Sequence, residues 1–471
     1  MTKATRNDGD SAIGFLDRTI GNLSKAWREI AAGARPTDRA PAIAGDPARL
    51  RAQMADCLAG RGGAVSARGR AAALGRAYLE LDPEGRGAFL GVLAREFDVD
   101  HDAAQLAAAR LAAAKDADAR RAGEKAMRAA LRPPRVELLR QFNALPQGLK
   151  FLVDMRADLL PLRRKDPALA DLDGDLRRLL TSWFDVGFLE LRRIGWNEPA
   201  ALLEKLIAYE AVHAIRDWRD LKNRLDSDRR CFAFFHPDMP DEPLIFVEVA
   251  LVQGLADGIL PLLDESAPLL DPAEADTAIF YSISNAQRGL AGIRFGDFLI
   301  KRVVAELARE FPNLKTFATL SPIPGFVAWL KDRIAADDAP ALTDGEKADL
   351  AALGVDPPDA AGLLALARTV DGRAQAACRG PLMRICADYL LHAKRDGRRA
   401  RDPVADFHLG NGARMERLNW DADRSPGAVA ASAGMMINYL YKLSDIERNV
   451  ETYSGTGRIA ASGPLRSLAK E

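Results

Sequence analysis

Up to about residue 190, apolar positions recur at three- and four-residue spacing. They predict amphipathic helices over 11–30, 50–59, 65–81 and 103–130, continuing through 141–159 and 172–184. Breaks fall at Gly33-Ala34-Arg35-Pro36, Asp82-Pro83-Glu84-Gly85 and Pro133-Pro134. Beyond residue 190 the pattern becomes mixed. Residues 188–194 predict a strand, and 199–211 and 212–225 predict two helices. The β-rich runs 231–236 and 244–252 form a hairpin across Pro237-Asp238-Met239-Pro240-Asp241-Glu242-Pro243. A third strand, 277–284, leads into the Gly-rich loop Gly289-Leu290-Ala291-Gly292-Ile293-Arg294-Phe295-Gly296. Then Leu299, Ile300, Val303, Val304, Leu307, Ala308 and Phe311 mark one face of a helix that Pro312 stops. A strand over 314–320 ends in Ser321, residues 331–400 read as a helical insertion, and His408 is expected at the end of an apolar strand. A last helix is expected over 428–443.

The fold class is therefore α+β. An all-helical domain (1–188) precedes a mixed α/β domain (189–471). Composition narrows the function. Lys plus Arg and Asp plus Glu number 66 each, which excludes a broad basic footprint for nucleic acid or a polybasic membrane tether. No apolar run reaches spanning length and no signal-peptide pattern opens the chain, so a cytoplasmic protein is expected. The four cysteines, Cys57, Cys231, Cys378 and Cys386, form no Cys-x-x-Cys pair. They show no ligand spacing with the five histidines, so reduced thiols and no zinc site are expected. His101, among Asp98, Asp100 and Asp102, reads as part of a helix start.

The chemistry concentrates in the second domain. Strand, Gly-rich loop, helix and strand in that order suit an anion, because glycines allow close backbone approach and a helix start offers free N–H groups. The loop lacks the Gly-Lys-Ser/Thr of a P-loop. Placed after a three-strand meander, Gln287-Arg288-Gly289-Leu290-Ala291-Gly292 resembles the pyrophosphate loop of the GNAT acyltransferases. Ser321 opens Ser321-Pro322-Ile323-Pro324-Gly325-Phe326. It is not a nucleophile elbow, since the following proline has no N–H for an oxyanion. Either it caps the next helix or its hydroxyl handles protons. His408 stands before Gly410-Asn411-Gly412 and is a candidate proton donor near neutral pH.

Four segments, Phe280–Ser284, Phe298–Val304, Leu320–Phe326 and His408–Ala413, occur in the order found in malonyl-CoA decarboxylases. The chain resembles that family from about residue 190 to 471. The resemblance implies decarboxylation of malonyl-CoA to acetyl-CoA on a GNAT-like domain without a cofactor, with self-association as dimer or tetramer through the helical half. It places the catalytic pair on Ser321 (proton acceptor or relay) and His408 (proton donor). It places the CoA loop on Ala291, Gly292, Ile293, Arg294, Phe295, Gly296 and Asp297. Some members carry an acid where this chain has Arg294, so no catalytic carboxylate is carried over there. Asn411 is a candidate donor to the thioester enolate, and Tyr453 is left out of the catalytic set. A GNAT-type transfer of an acyl group from CoA to an amine is the alternative, and an inactive acyl-CoA sensor a third reading.

Overall fold

The computed structural model describes residues 25–30, 47–59, 63–293, 298–369 and 371–470. Contacts divide the chain into two units. The first is Met1–Leu189 with His236–Glu242 and Gln287–Arg294; the second is the remainder. Two returns of the later chain thus belong with the helical unit, where the sequence pattern gave no sign of them.

The described part of the first unit is helical. Its core is aromatic: Trp27, Tyr78, Phe89, Phe142 and Phe151 are all buried, and edge-on ring pairs run from Trp27–Phe151 at 4.7 Å to Tyr78–Phe151 at 5.6 Å. Buried guanidinium–carboxylate pairs, Arg135–Asp175 and Arg156–Asp173, both at 2.7 Å, tie the helices together. The sequence pattern is corrected at three places. The single run 103–130 is two helices, His101–Ala112 and Ala117–Ala130, because Asp116 caps the second through its bond from the Ala119 N–H. The run 141–159 is broken between Pro134–Asn143 and Gly148–Leu162, where Gln147 takes a left-handed φ of 54°. Pro83–Glu96, capped by Asp82, is a helix the pattern did not show. His101 follows its N-cap Asp100, as expected. The residues before 25 and the Gly33–Pro36 break lie outside the described residues.

The second unit is built on an eight-stranded sheet. Its strands are β1 Glu190–Ile194, β2 Arg229–Phe235, β3 Ile245–Val252, β4 Thr277–Asn285, β5 Thr316–Thr319, β6 Ser321–Pro322, β9 Arg414–Asn419 and β10 Met436–Leu440. The order is β1-β2-β3-β4-β5-β10-β6, with β9 paired to β10. Neighbours are antiparallel except β4 and β5, which pair in parallel from Thr277↔Thr316 to Phe280↔Thr319. Parallel neighbours need a crossover, and helix Phe298–Glu310 supplies it. This antiparallel meander, crossover helix and parallel strand make the domain GNAT-like, as the resemblance implied. Helix Ala200–Tyr209 buries Leu202, Leu203 and Leu206 with Ala233, Phe235 and Phe246 of the sheet. Farther along, Ala250, Ile279, Ala318, Leu320 and Met436 form a second cluster with Ile259 and Leu262.

Between β6 and β9 the chain makes helices Phe326–Ala335, Asp344–Ala352, Ala360–Leu366 and Gly372–His392, then the small β7–β8 hairpin at Lys394–Ala400. This is the expected helical insertion. Three local expectations are overturned. His408 sits on a helix, Pro403–Gly410, not on a strand, because Asp402 caps it and Pro403 fills its first position. The expected helix over 428–443 is a short helix, Pro426–Ser432, ended by left-handed Ala433 and Gly434, followed by strand β10. Likewise only Trp218–Arg224 of the run 212–225 is helical.

Candidate active site

Two backbone devices bring Ser321 and His408 together. The first is β10, which pairs with both β5 and β6. Leu440 lies opposite Ala318 and Ile437 opposite Ser321. Side chains alternate along a strand, so Ile437, Tyr439 and Tyr441 share one face while Met436, Asn438 and Leu440 share the other. The second is the Asp402 carboxylate. Its Oδ1 accepts the Val404 and Ala405 N–H groups at 3.0 Å, capping the histidine helix. Its Oδ2 accepts the Gly325 N–H at 3.1 Å and the Tyr389 hydroxyl at 3.3 Å. One buried carboxylate thus fixes the start of the histidine helix to the turn that follows Ser321. Ser321 does not cap the next helix; Gly325 occupies that position.

At the other end of the histidine helix, the Asn411 and Gly412 N–H groups close on the carbonyls of Phe407, His408 and Leu409. Gly412 has φ +83°, and a β-carbon there would stand 2.5 Å from the Ile446 carbonyl oxygen. Glycine is required on both counts. Tyr453, on the helix Ile446–Thr456, is buried. Its hydroxyl donates to Asp406 Oδ1 at 2.7 Å and accepts the Ala400 N–H at 2.8 Å, so it braces the histidine helix from behind.

Within this frame, His408 Nε2 lies 3.1 Å from Ser321 Oγ and Nδ1 lies 2.8 Å from the Tyr441 hydroxyl. The imidazole stacks on the Tyr439 ring, centroids 4.4 Å apart. Ser321 Oγ in turn donates to Thr319 Oγ1 at 2.8 Å, and that oxygen accepts the Tyr439 N–H at 3.1 Å. The result is one hydrogen-bonded line, Tyr441–His408–Ser321–Thr319. With Ser321 donating to Thr319, the imidazole carries its proton on Nε2 and accepts from Tyr441 at Nδ1. The ring is only 3 % exposed, and burial pushes its pKa down to about 3. The resting imidazole is therefore neutral at physiological pH. The Tyr439 hydroxyl is buried and has no hydrogen-bond partner among the described residues.

Asn411 stands near this line, one turn from the histidine. Its Nδ2 donates to the Phe407 carbonyl at 2.7 Å, which occupies one of its two amide hydrogens. Ala291, Gly292 and Ile293 belong to the first unit, and Arg294 to Asp297 lie outside the described residues. Thr319, Asp402, Tyr439 and Tyr441 escaped the sequence reading. The alternation Ile437-x-Tyr439-x-Tyr441 was the available signal for the two tyrosines, and Asp402-Pro403 was the signal for the cap. No group of three or more His, Cys, Asp or Glu side chains that could hold a metal ion occurs among the described residues.

A GNAT-like domain with a buried, hydrogen-bonded serine–histidine pair beside its sheet points to the class of acyl-CoA enzymes. Comparison with known proteins makes the class specific. Residues 187–471 match the malonyl-CoA decarboxylase C-terminal domain and residues 97–184 the malonyl-CoA decarboxylase N-terminal domain. Malonyl-CoA decarboxylase, mitochondrial, of Anser anser anser is 38 % identical over 421 residues, covering 85 % of this chain and 83 % of that protein. The Rattus norvegicus protein of the same name is 37 % identical over 443 residues, covering 90 % and 87 %. The crystal structure of malonyl-CoA decarboxylase from Rhodopseudomonas palustris superposes with a TM-score of 0.82 at 43 % identity, covering 90 % of this chain and all of that one. That from Agrobacterium vitis gives 0.81 at 40 %, with the same coverage. The chain belongs to the malonyl-CoA decarboxylase family.

Proposed function

We propose that this protein converts malonyl-CoA to acetyl-CoA and carbon dioxide, with His408 and Ser321 handling the proton. The observation that carries the proposal is the buried contact between His408 Nε2 and Ser321 Oγ at 3.1 Å. The bond between the α-carbon and the carboxylate breaks, its electron pair passes into the thioester as an enolate, and carbon dioxide leaves. A proton then goes to the α-carbon. Ser321 delivers it and is refilled from His408, which takes up its second proton from solvent when the next malonyl-CoA binds. The resting imidazole is neutral, so it needs a negative charge nearby before it holds a second proton; the substrate carboxylate supplies that charge. The remaining amide hydrogen of Asn411 is assigned to the enolate oxygen.

Ala291 to Asp297 are assigned to the CoA pyrophosphate. Self-association of the helical unit and a cytoplasmic site of action complete the reading. The four cysteines are free and buried, which suits a reducing compartment. No helix among the described residues is long and apolar enough to cross a membrane.

Acyl transfer to an amine is the competing reaction. It has no use for a histidine held on a serine. The deciding experiment is turnover of malonyl-CoA followed by mass spectrometry, with His408→Ala and Ser321→Ala alongside. Acetyl-CoA from the wild type, with kcat down by ~10²-fold or more in both folded variants, is the expected result. Wild type that binds malonyl-CoA and releases no acetyl-CoA overturns the proposal.

A further inference from the structure

The segment Gln287–Ile293 is held in the helical unit by its carbonyl oxygens. Arg156 is 1 % exposed, and its Nη1 donates to the carbonyls of Gly289 at 2.5 Å and Ala291 at 2.9 Å. Its Nε donates to Asp173 at 2.7 Å, so the guanidinium is anchored on a carboxylate on one side and on the two carbonyls on the other. Arg177 reaches the Gly292 carbonyl at 3.1 Å from the next helix, Pro167–Trp183. Gly289 lies flat on the helix Gly148–Leu162. A β-carbon there would stand 1.8 Å from the Val153 carbonyl oxygen.

The shape of the held segment matters. Leu290 to Ile293 form a turn closed by the Ile293 N–H on the Leu290 carbonyl at 2.9 Å. Ala291 has φ −53° and ψ 129°, and Gly292 has φ +77°. This is a type II turn with glycine at its third position. Type I and type II turns differ by a flip of the central peptide, here the one joining Ala291 to Gly292. The carbonyl and N–H of one peptide point in opposite directions. By binding the Ala291 oxygen, Arg156 therefore turns the Gly292 N–H the other way. That N–H makes no hydrogen bond among the described residues.

We infer that Arg156 is a positioning residue for CoA: it locks the central peptide of this turn so that the Gly292 N–H faces the pyrophosphate, with Arg177 as a second latch. The inference rests on the assignment of Ala291 to Asp297 to CoA. Lysine is no substitute at position 156, because a single ammonium on a flexible stem cannot hold two carbonyls and Asp173 in one plane.

The test is steady-state kinetics on the full-length chain with two substrates, malonyl-CoA and malonyl-pantetheine, which lacks the pyrophosphate. Arg156→Lys is expected to raise KM for malonyl-CoA about tenfold or more, to leave kcat within about twofold, and to leave KM for malonyl-pantetheine unchanged. Gly292→Ala is the second variant. A β-carbon there meets nothing within 4 Å, so the fold tolerates it, but the left-handed φ strains the turn. The same split between substrates is expected. An unchanged KM for malonyl-CoA, or an equal rise for both substrates, overturns the inference. Wild type that yields no acetyl-CoA from either substrate sinks the decarboxylase reading instead; the clamp is then judged on CoA affinity by calorimetry, which the two variants must weaken.

Discussion

The charge state of His408 gives the sharpest quantitative prediction. In the free protein the ring titrates at about pH 3, against an ordinary 6.5, because it is buried away from water. That 3.5-unit depression corresponds to about 5 kcal/mol at 1.36 kcal/mol per unit. The folded pKa lies below the unfolded one, so the ring's contribution to stability is fully present above about pH 6.5. It is lost as pH falls through the window down to 3. A carboxylate brought within about 4 Å of the ring returns roughly 4 kcal/mol at an effective dielectric of about 20. That offsets most of the burial penalty, so an anionic ligand raises the ring's pKa toward its ordinary value. The assay is NMR of protein labelled at histidine Cε1, where five histidines give a sparse spectrum and His408→Gln assigns the line. Titration is run alone, with a non-hydrolysable malonyl-CoA thioether, and with the matching acetyl analogue. The malonyl analogue is expected to raise the pKa most of the way to its ordinary value and the acetyl analogue by far less. A midpoint near 6.5 in the free protein refutes the burial argument. Equal shifts with both analogues refute the placement of the carboxylate beside the ring.

Three further outcomes follow from buried charges and one strained turn of the second unit. Asp402→Ala removes the cap of the histidine helix and the tie to Gly325. A stability loss of about 2 kcal/mol, read by chemical denaturation, should accompany a lower kcat, while Asp402→Asn should recover most of the stability. Gly412→Ala drives a β-carbon against the Ile446 carbonyl at a left-handed φ; a melting temperature lower by several degrees is expected, and an unchanged one would show that the turn relaxes freely. Arg224, buried between Asp220 at 2.9 Å and Glu248 at 3.0 Å, balances two carboxylates. Arg224→Met should cost about 3–5 kcal/mol in denaturant unfolding, and a loss under 1 kcal/mol would mean that the acids protonate without penalty.

The parts legible in the sequence were those with strong local signals. The hairpin β2–β3 and strand β4 announce themselves as runs of Phe, Ile and Val between turn residues, and Phe298–Glu310 as a clean apolar stripe ended by Pro312. Ser321 and His408 were singled out by motif, and the fold brings them into contact. What failed were segments where tertiary context overrode local preference. The stretch from Ala428 is helix-forming by composition, yet Gly434 ends it and Met436–Leu440 pairs on two sides. The strand expected at His408 gave way to the Asp402-Pro403 cap signal. Thr319 could not be read from sequence because its role exists only through pairing across more than a hundred residues, as in the Tyr439 N–H to Thr319 bond.

Strand β10 also sets the timetable of the molecule. It is the strand that sits between β5 and β6, and it brings Tyr439 onto the His408 ring and Tyr441 to its Nδ1, yet it comes late in the sequence. During synthesis, Ser321 and then His408 emerge from the ribosome long before their common wall exists. Nascent chains shorter than about 440 residues carry an unpaired edge at β5 and a histidine still in water, ionised near its ordinary pH. Docking of that strand completes the burial that keeps the His408 ring neutral down to low pH. Truncation just before Met436 should therefore leave an aggregation-prone chain, not a slower enzyme.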